Sequence, residues 1–391
     1  MKQRITAVLT AVLLAALLCA CADQAGREEA AQEKAEEAAQ EMIEQGTVEE
    51  DAKPKAKALK AAVLFDSLEE SKTSAIAACL RKDMEAIGVS LTEYEADGDA
   101  EMQLMQASSA LKSGADLLLA ELVHEGYSNE AEAICQAAAE KNVPVIFFYR
   151  EIELRSEQGV VLDHYKNAAF VGPSSRAAGR VQGEMVGNYV KDHYDAMDLN
   201  HDGVISYAMF KGDNLSEKAD LRTRNCISNA EKILSEEGYL GLTYFEGDNP
   251  YDYQLDLTGR WSALSVREYM QTNLTLYTEK GDSMIELVIC NSDDMAVGAV
   301  EALNDAGYNL GDGESVTIPV FGIDGTFAAR QLIQEGKMTG TAACDAGRLS
   351  KRIRDLVEPL TYGEALAQDL ESNRIIIHYD RILAPEDSGD E

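Results

Sequence analysis

The chain has 391 residues, of which 46% are hydrophobic, so it can bury the cores of two globular domains. Its formal net charge is -34 and its sequence pI is about 4.4. An acidic surface of this kind repels phosphate backbones and anionic lipid headgroups, which argues against nucleic acid as a partner.

The first twenty residues, MKQRITAVLTAVLLAALLCA, have the layout of an export signal. Lys2 and Arg4 precede an apolar run that is short for a transmembrane helix, and small residues precede Cys21. The run Leu18-Cys19-Ala20-Cys21 resembles the bacterial lipobox, whose cleavage leaves an N-terminal cysteine that is then diacylated. We predict a signal peptide over 1–20 and a lipid anchor at Cys21, hence an extracytoplasmic protein attached to the cell membrane. An uncleaved membrane helix is the alternative.

Residues 21–59 are rich in Glu, Ala and Lys and nearly free of large apolar side chains. Such a segment cannot bury enough surface to fold alone, which predicts an acidic tether between the lipid and the folded part.

The cysteines beyond Cys21 are odd in number and form no CxxC pair. They lie within apolar or helical patterns, which predicts buried free thiols rather than disulfides or a zinc site. These residues are Cys79, Cys135, Cys226, Cys290 and Cys344.

From residue 61 onward, short apolar runs alternate with amphipathic stretches. Buried strands are predicted at 61–65, 115–122, 143–148 and 168–172, and helices at 71–87, 101–113 and 129–142. The alternation resumes with strands at 204–210, 242–245, 285–290 and 318–324 and helices at 216–236, 262–272 and 294–306. A last strand, helix and strand at 338–343, 346–358 and 374–379 complete the sheets. This pattern predicts an α/β fold of two doubly wound parallel sheets with a ligand cleft between them.

The stretch DLNHDGVIS has the spacing of a calcium loop. Oxygen donors fall at alternate positions, with glycine at position six; the donors are Asp198, Asn200, Asp202, the carbonyl of Val204, and Ser206. Position twelve, where an EF-hand places a bidentate glutamate, is Met209, so an ordinary EF-hand is excluded. Either the stretch is a polar turn leading into a strand, or a distant carboxylate completes a calcium site.

The stretch, which runs directly into the strand VISYAMF, resembles the calcium loop of the bacterial galactose/glucose-binding proteins. The resemblance continues in the same order through FVGPSSRAAGRVQGEMV, IELVICNSDDMAVGAVEAL and IPVFGIDGTFAARQLIQEGKMTGT. It implies a type I periplasmic binding protein, with two lobes joined by three crossing segments. It also implies that Glu286 supplies the missing calcium carboxylate.

The implied domain boundaries are one lobe of 60–171 with 344–372 and a second of 172–343 with 373–386, followed by a tail of 387–391.

The resemblance also implies a set of ligand contacts. Three residues match the family: Arg222, Trp261 and Asp324. At the other positions the family residue is replaced, and here stand Asp66, Glu70, Lys72, Tyr149, Ser216, Lys218, Ser292 and Cys344. Arg150, next to Tyr149, is added as a residue that can reach the cleft.

Each matched residue has a purely structural alternative. Trp261 can belong to the core, and Arg222 can pair with Asp220 or Glu217 on a solvated helix face. Asp324 can cap a helix.

No catalytic motif accompanies these residues. The chain has no GxSxG elbow, HExxH or Walker loop, and its five histidines are not in a catalytic spacing, so we predict that it is not an enzyme. The resemblance implies a receptor that delivers a monosaccharide of the galactose/glucose type to an ABC transporter permease, with calcium as a structural cofactor. The alternatives are a receptor for another polar small molecule, or a sensory protein that presents its ligand to a membrane chemoreceptor.

Overall fold

The computed structural model describes residues 56–153, 159–214, 216–277, 283–366 and 373–384. The predicted signal peptide, the Cys21 anchor, most of the tether and the 387–391 tail lie outside these residues. Among the described residues, no helix is both long enough and apolar enough to cross a bilayer.

Strands and helices alternate along most of the described chain. The strands are β1 (Leu59–Phe65), β2 (Val89–Glu95), β3 (Leu117–Ala120), β4 (Val145–Phe148), β5 (Ala168–Pro173), β6 (Ile205–Lys211), β7 (Leu242–Tyr244), β8 (Gln254–Leu255), β9 (Leu287–Cys290), β10 (Val320–Asp324), β11 (Gly340–Ala343), β12 (Arg374–Ile377) and β13 (Asp380–Leu383). The helices are α1 (Ser71–Ala86), α2 (Ala100–Lys112), α3 (Ser128–Ala139), α4 (Ser175–Met197), α5 (Glu217–Glu237), α6 (Ala263–Leu276), α7 (Asp293–Asp305), α8 (Phe327–Gln334) and α9 (Ala346–Thr361).

The strands form two separate sheets, each the centre of one lobe. The first sheet is parallel, in the order β12-β5-β4-β3-β1-β2. The second has the order β13-β11-β10-β9-β6-β7, with β8 paired to the end of β6, and only β13 runs antiparallel. Central strands such as β3, β4 and β9 are wholly buried, because parallel strands are covered by helices on both faces. This is the predicted α/β fold of two doubly wound sheets.

Within the described residues, the chain passes between the two sheets three times. It crosses from β5 to α4, from β11 to α9, and from β12 to β13. Three crossings agree with the expected type I periplasmic binding protein fold.

One predicted boundary between the lobes is wrong. The predicted second lobe includes 373–386, but β12 pairs with β5 in the first sheet, through partners such as Ile375 and Val171. Only β13 joins the second sheet, beside β11. The open edge of β5 needs a hydrogen-bonding partner, and the sequence of a short apolar strand does not reveal which edge it will fill.

The five described cysteines are free thiols. Cys135, Cys226, Cys290 and Cys344 are buried as predicted, whereas Cys79 is only half-buried.

A stripe of glycines brings α4 and α5 into close contact. Gly179, Gly183 and Gly187 lie four residues apart and so share one face of α4. A Cβ added to Gly183 would lie 2.3 Å from the carbonyl oxygen of Cys226, and one added to Gly179 would lie 2.5 Å from that of Arg222. The stripe therefore fixes the position of the α5 backbone that carries Arg222.

We expect Gly183→Val to lower the free energy of unfolding by about 1–3 kcal/mol, because the added side chain overlaps backbone that cannot move aside. Urea unfolding of the purified protein measures the loss. Gly247→Val is the matched control, since a Cβ at Gly247 meets no atom within 4 Å. Equal stabilities of the two variants would contradict close packing of α4 against α5.

Candidate ligand cleft

Charged and aromatic side chains from both lobes meet where the carboxyl ends of the strands lie. Parallel strands bring their carboxyl ends to one edge of a sheet, and polar residues there face a common crevice. The first lobe contributes Asp66, Glu70, Lys72, Glu121, Glu125, Tyr149 and Arg150, and the second contributes Lys218, Arg222, Trp261 and Asp324.

The centre of the second lobe's contribution is an ion pair between Arg222 and Asp324. Arg222 is 1% exposed; its Nη1 donates to the carbonyl of Asn291 at 2.6 Å and its Nη2 to Asp324 Oδ1 at 3.2 Å. Burial opposes the charge of Arg222, but the Asp324 carboxylate, together with Tyr379, Tyr149 and Glu125, outweighs burial and holds the pKa of the guanidinium above its ordinary value. Arg222 is therefore not a surface residue, and the alternative pairing with Asp220 or Glu217 is wrong.

Other residues make the contacts that the structural alternatives assign to Arg222 and Asp324. Lys211 donates to Asp220 at 2.5 Å. The hydroxyl of Thr326 caps α8, so Asp324 is not a helix cap. Asp324 has a φ of +119°, in the region that favours glycine.

Trp261 covers this ion pair. It is half-buried just before α6, with its ring over the Arg222 guanidinium at 5.6 Å and over the Lys218 ammonium at 5.1 Å. Its ring also packs at the edge of the core. Trp261 therefore faces the cleft with one part of its ring, where cations lie against it, and packs against the core with another part.

The first lobe centres on Arg150. Its Nη1 donates to Asp66 Oδ2 at 2.7 Å and its Nη2 to Glu70 Oε1 at 2.8 Å. Its Nε lies 3.2 Å from Glu121, a wholly buried carboxyl that accepts a bond from Thr73. Burial raises the pKa of Glu121 to about 7, although Arg150 acts against it. Glu121 is absent from the predicted site, and the available signal was a single charge at the end of the apolar strand ADLLLAEL.

Polar bonds join the two lobes across the cleft. The ammonium of Lys72 donates to the carbonyls of Asp324, at 2.9 Å, and of Cys344. The hydroxyl of Tyr149 donates to Asp324 Oδ1 at 3.4 Å. Cys344 thus faces the cleft with its backbone oxygen, while its thiol is buried.

Lys218 reaches from the second lobe into the first. Its ammonium lies over the ring of Tyr149 at 4.8 Å and is 3.8 Å from Glu125. Burial and the nearby charge of Arg222 lower the pKa of Lys218. Glu125, which also accepts a bond from Ser175, is a second cleft residue that the sequence did not predict.

Two predicted ligand residues act as helix caps. The hydroxyl of Ser216 accepts a bond from the amide of Ala219 at the start of α5, and that of Ser292 accepts one from Met295 at the start of α7. The hydroxyl oxygens of Ser216 and Ser292 therefore accept helix amides in this structure.

The predicted calcium residues lie at the other end of the second lobe. Asp198, Asn200 and Asp202 form the turn between α4 and β6, and Gly203 has a φ of +79°. This loop is at the amino end of β6, whereas the cleft is at its carboxyl end, about 20 Å away for a seven-residue strand.

Glu286 connects the predicted loop to the sheet. Its two carboxylate oxygens accept the amides of Leu199 at 2.7 Å and Ser206 at 2.9 Å. The carboxylates of Asp198 and Asp202 likewise accept backbone amides of the loop. In the described part of the chain, no three Asp, Glu, His or Cys side chains converge as metal ligands do. By its chemistry, an all-oxygen donor set with three carboxylates fits a hard cation such as calcium.

Residues 61–357 match the family model for the periplasmic binding protein domain. The chain is 27% identical over 283 residues to the D-galactose/methyl-galactoside binding periplasmic protein of Haemophilus influenzae. The aligned residues make up 72% of this chain and 75% of that protein.

Two solved structures share the fold. An ABC transporter solute binding protein from Bacillus halodurans with bound myo-inositol has a TM-score of 0.62 at 21% identity, covering 84% of this chain and 96% of that one. A Mycobacterium smegmatis protein in complex with β-D-fucofuranose has a TM-score of 0.63 at 21% identity, covering 84% and 92%. The matched family and the Haemophilus relative are described as binding proteins, which agrees with the prediction of a binding protein rather than an enzyme.

A half-buried acid beside the cleft, Glu151, predicts how stability changes with pH. Burial, and then the charge of Glu125, raises the pKa of Glu151 from 4.5 to about 7. The folded protein therefore holds this proton more tightly than the unfolded chain, so stability is lost as pH rises from about 4.5 to about 7. We expect Glu151→Gln to reduce that loss by on the order of 1–2 kcal/mol.

Urea unfolding at several pH values between 5 and 8 measures this slope. Glu151→Asp, which keeps a titratable group, should retain most of the wild-type slope. A glutamine variant with the full wild-type slope would show that Glu151 is not the responsible acid.

Proposed function

This chain belongs to the periplasmic binding protein domain family, and we propose that it binds a sugar or related polyhydroxylated molecule for an ABC transporter. The observation that carries the proposal is the Arg222–Asp324 pair under Trp261, at the carboxyl ends of strands and opposite a second polar lobe. Similar proteins support it, since the Haemophilus protein is a galactose and methyl-galactoside binding protein and the Bacillus structure holds myo-inositol.

The chemistry of the cleft suits a ligand rich in hydroxyl groups. Each hydroxyl both donates and accepts, so it can bond a carboxylate such as Asp324 and a cation such as Arg222 at once. The face of Trp261 suits the apolar face of a sugar or cyclitol ring. A ligand that carries only donors or only acceptors would leave half of these groups unpaired in a buried place.

The polar contacts of this cleft differ from those of the resembling galactose/glucose-binding family. Lys72 and Lys218 bring cations to positions where the resembling family has other residues, and both already bond across the lobes. We propose a monosaccharide of the galactose/glucose type or a related cyclitol, held by the residues Asp66, Glu70, Tyr149, Arg150, Lys218, Arg222, Trp261 and Asp324.

Closure of the two lobes on the ligand needs no chemical step. The three crossings of the chain can act as hinges, and residues of both lobes then enclose the ligand. Membership of the family implies an extracytoplasmic location. We propose that diacylated Cys21 holds the protein at the membrane surface, where it can meet the permease.

We further propose that calcium binds the loop as a structural ion. The ligands would be the side chains of Asp198, Asn200, Asp202, Ser206 and Glu286 with the carbonyl of Val204. Support comes from the all-oxygen donor set and from the bonds by which Glu286 already holds the loop against the sheet.

A panel of D-galactose, D-glucose, D-ribose and myo-inositol, tested by thermal unfolding, checks the ligand class. A ligand that binds only the folded state stabilises it by about 2.7 kcal/mol at one hundred times its Kd, which raises the Tm. No shift with any member would contradict the sugar and cyclitol proposal.

Arg222→Met should abolish the shift, because it removes the donor that pairs with Asp324. The variant also leaves Asp324 buried without its partner, which costs about 3–5 kcal/mol, so each shift is compared with the variant's own baseline. Arg224→Met, an exposed position two residues further along α5, should keep the wild-type shift.

Metal removal separates the calcium loop from the cleft. We expect chelation with EDTA to lower the Tm, and Asp202→Ala to lower it similarly while leaving the ranking of ligands unchanged, because the loop lies at the far end of β6. Isothermal titration with CaCl₂ checks binding directly. An unchanged Tm after complete metal removal would contradict the calcium site, and an altered ligand ranking in Asp202→Ala would contradict a purely structural role.

A further inference from the structure

Trp261 is presented to the cleft by a short loop under conformational constraint. The loop between β8 and α6 spans residues 256–262, and Trp261 within it has a φ of +59°, a region that a bulky side chain rarely adopts. A residue in that conformation stays there only where surrounding bonds hold it.

The bonds that hold this loop converge on one buried carboxylate, that of Asp256. Asp256 is 3% exposed, and its Oδ1 accepts both the amide and the hydroxyl of Thr258, at 3.0 and 2.8 Å. Its Oδ2 accepts the amide of Ser262 at 2.8 Å. Because Thr258 and Ser262 lie on either side of Trp261 along the chain, one carboxylate closes the loop around the tryptophan.

The same residue also ties the loop to the sheet. The amide of Asp256 donates to the carbonyl of Lys211 at the end of β6, at 2.9 Å. The next residue, Gly212, makes room for the indole: a Cβ there would lie 2.2 Å from Cδ2 of Trp261. The indole ring therefore lies between the backbone of Gly212, which has no side chain, and the cations of Arg222 and Lys218.

We propose that Asp256 is a positioning residue for ligand binding, which acts by holding the indole of Trp261 over Arg222. This inference rests on the proposed function for the identity of the ligand, whereas the bonds of Asp256 and the position of Trp261 do not depend on it. Within the described residues, the carboxylate of Asp256 bonds Thr258 and Ser262 of its own loop, so its effect on a ligand passes through Trp261. Nothing in the sequence separates this aspartate from the many surface acids of the chain.

The chain offers a direct readout, since Trp261 is its only tryptophan. In ligand-free protein, we expect Asp256→Asn to shift the fluorescence emission to longer wavelength and to increase quenching by acrylamide, because the amide has one acceptor oxygen in place of two. Asp312→Asn is the matched control. Asp312 also accepts two loop amides, from Glu314 and Ser315, both at its Oδ1, and its loop is exposed and far from Trp261 in sequence.

Ligand titration by calorimetry tests the consequence. With whichever of D-galactose, D-glucose or myo-inositol binds wild type, we expect Asp256→Asn to weaken binding about tenfold or more, as for loss of a charged hydrogen bond. In Trp261→Phe, the added Asp256→Asn change should cost much less than in wild type, because the two residues act together.

Unchanged emission and quenching in Asp256→Asn would overturn the proposal, and so would fully additive losses in the double variant. If Asp256→Asn fails to fold, Thr258→Val removes only the hydroxyl bond and must shift emission and quenching in the same direction. If no sugar binds wild type, the proposed function fails, while the quenching of ligand-free protein still decides the role of Asp256.

Discussion

The buried ion pair of Arg222 and Asp324 is the interaction on which the cleft depends. Removing two charges from water is costly, and the cost is recovered only where each charge keeps a partner and further hydrogen bonds. Arg222 finds these in Asp324 and the carbonyl of Asn291, and Trp261 covers the pair. The glycine stripe of α4 permits this arrangement, since it lets α5 approach closely at the residue that carries the guanidinium.

The two lobes are joined by charged side chains of one lobe that bond groups of the other. Lys72 bonds carbonyls of the opposite lobe and the crossing segment, and Lys218 enters an acidic and aromatic surface beside Glu125 and Tyr149. A ligand must compete with or join these bonds. The cleft is thus already a polar network, and under the proposed function a hydroxyl-bearing ring would replace some of these side-chain partners, with selectivity set by the bonds that it can reproduce.

Much of the fold could be predicted from the sequence because buried parallel strands have continuous apolar sequences. The runs around β1, β3, β4, β9 and β10 are of this kind, and the helices between them show regular spacing. Edge elements were harder. β2 is half-exposed with polar residues along VSLTEYE, and β12 could be read as an apolar strand but not placed beside β5. The choice of sheet edge depends on backbone partners supplied by distant segments.

The sequence by itself determined the α/β alternation, the glycine at the turn before β6, and, through resemblance, the family and the matched residues Arg222, Trp261 and Asp324. Only the tertiary structure decided their partners. It placed Arg222 in the interior, gave Ser216 and Ser292 to helix caps, and revealed Glu121 and Glu125. A residue's type limits the bonds it can make, but burial and the residue across the cleft, often a hundred or more positions away, decide which bonds form.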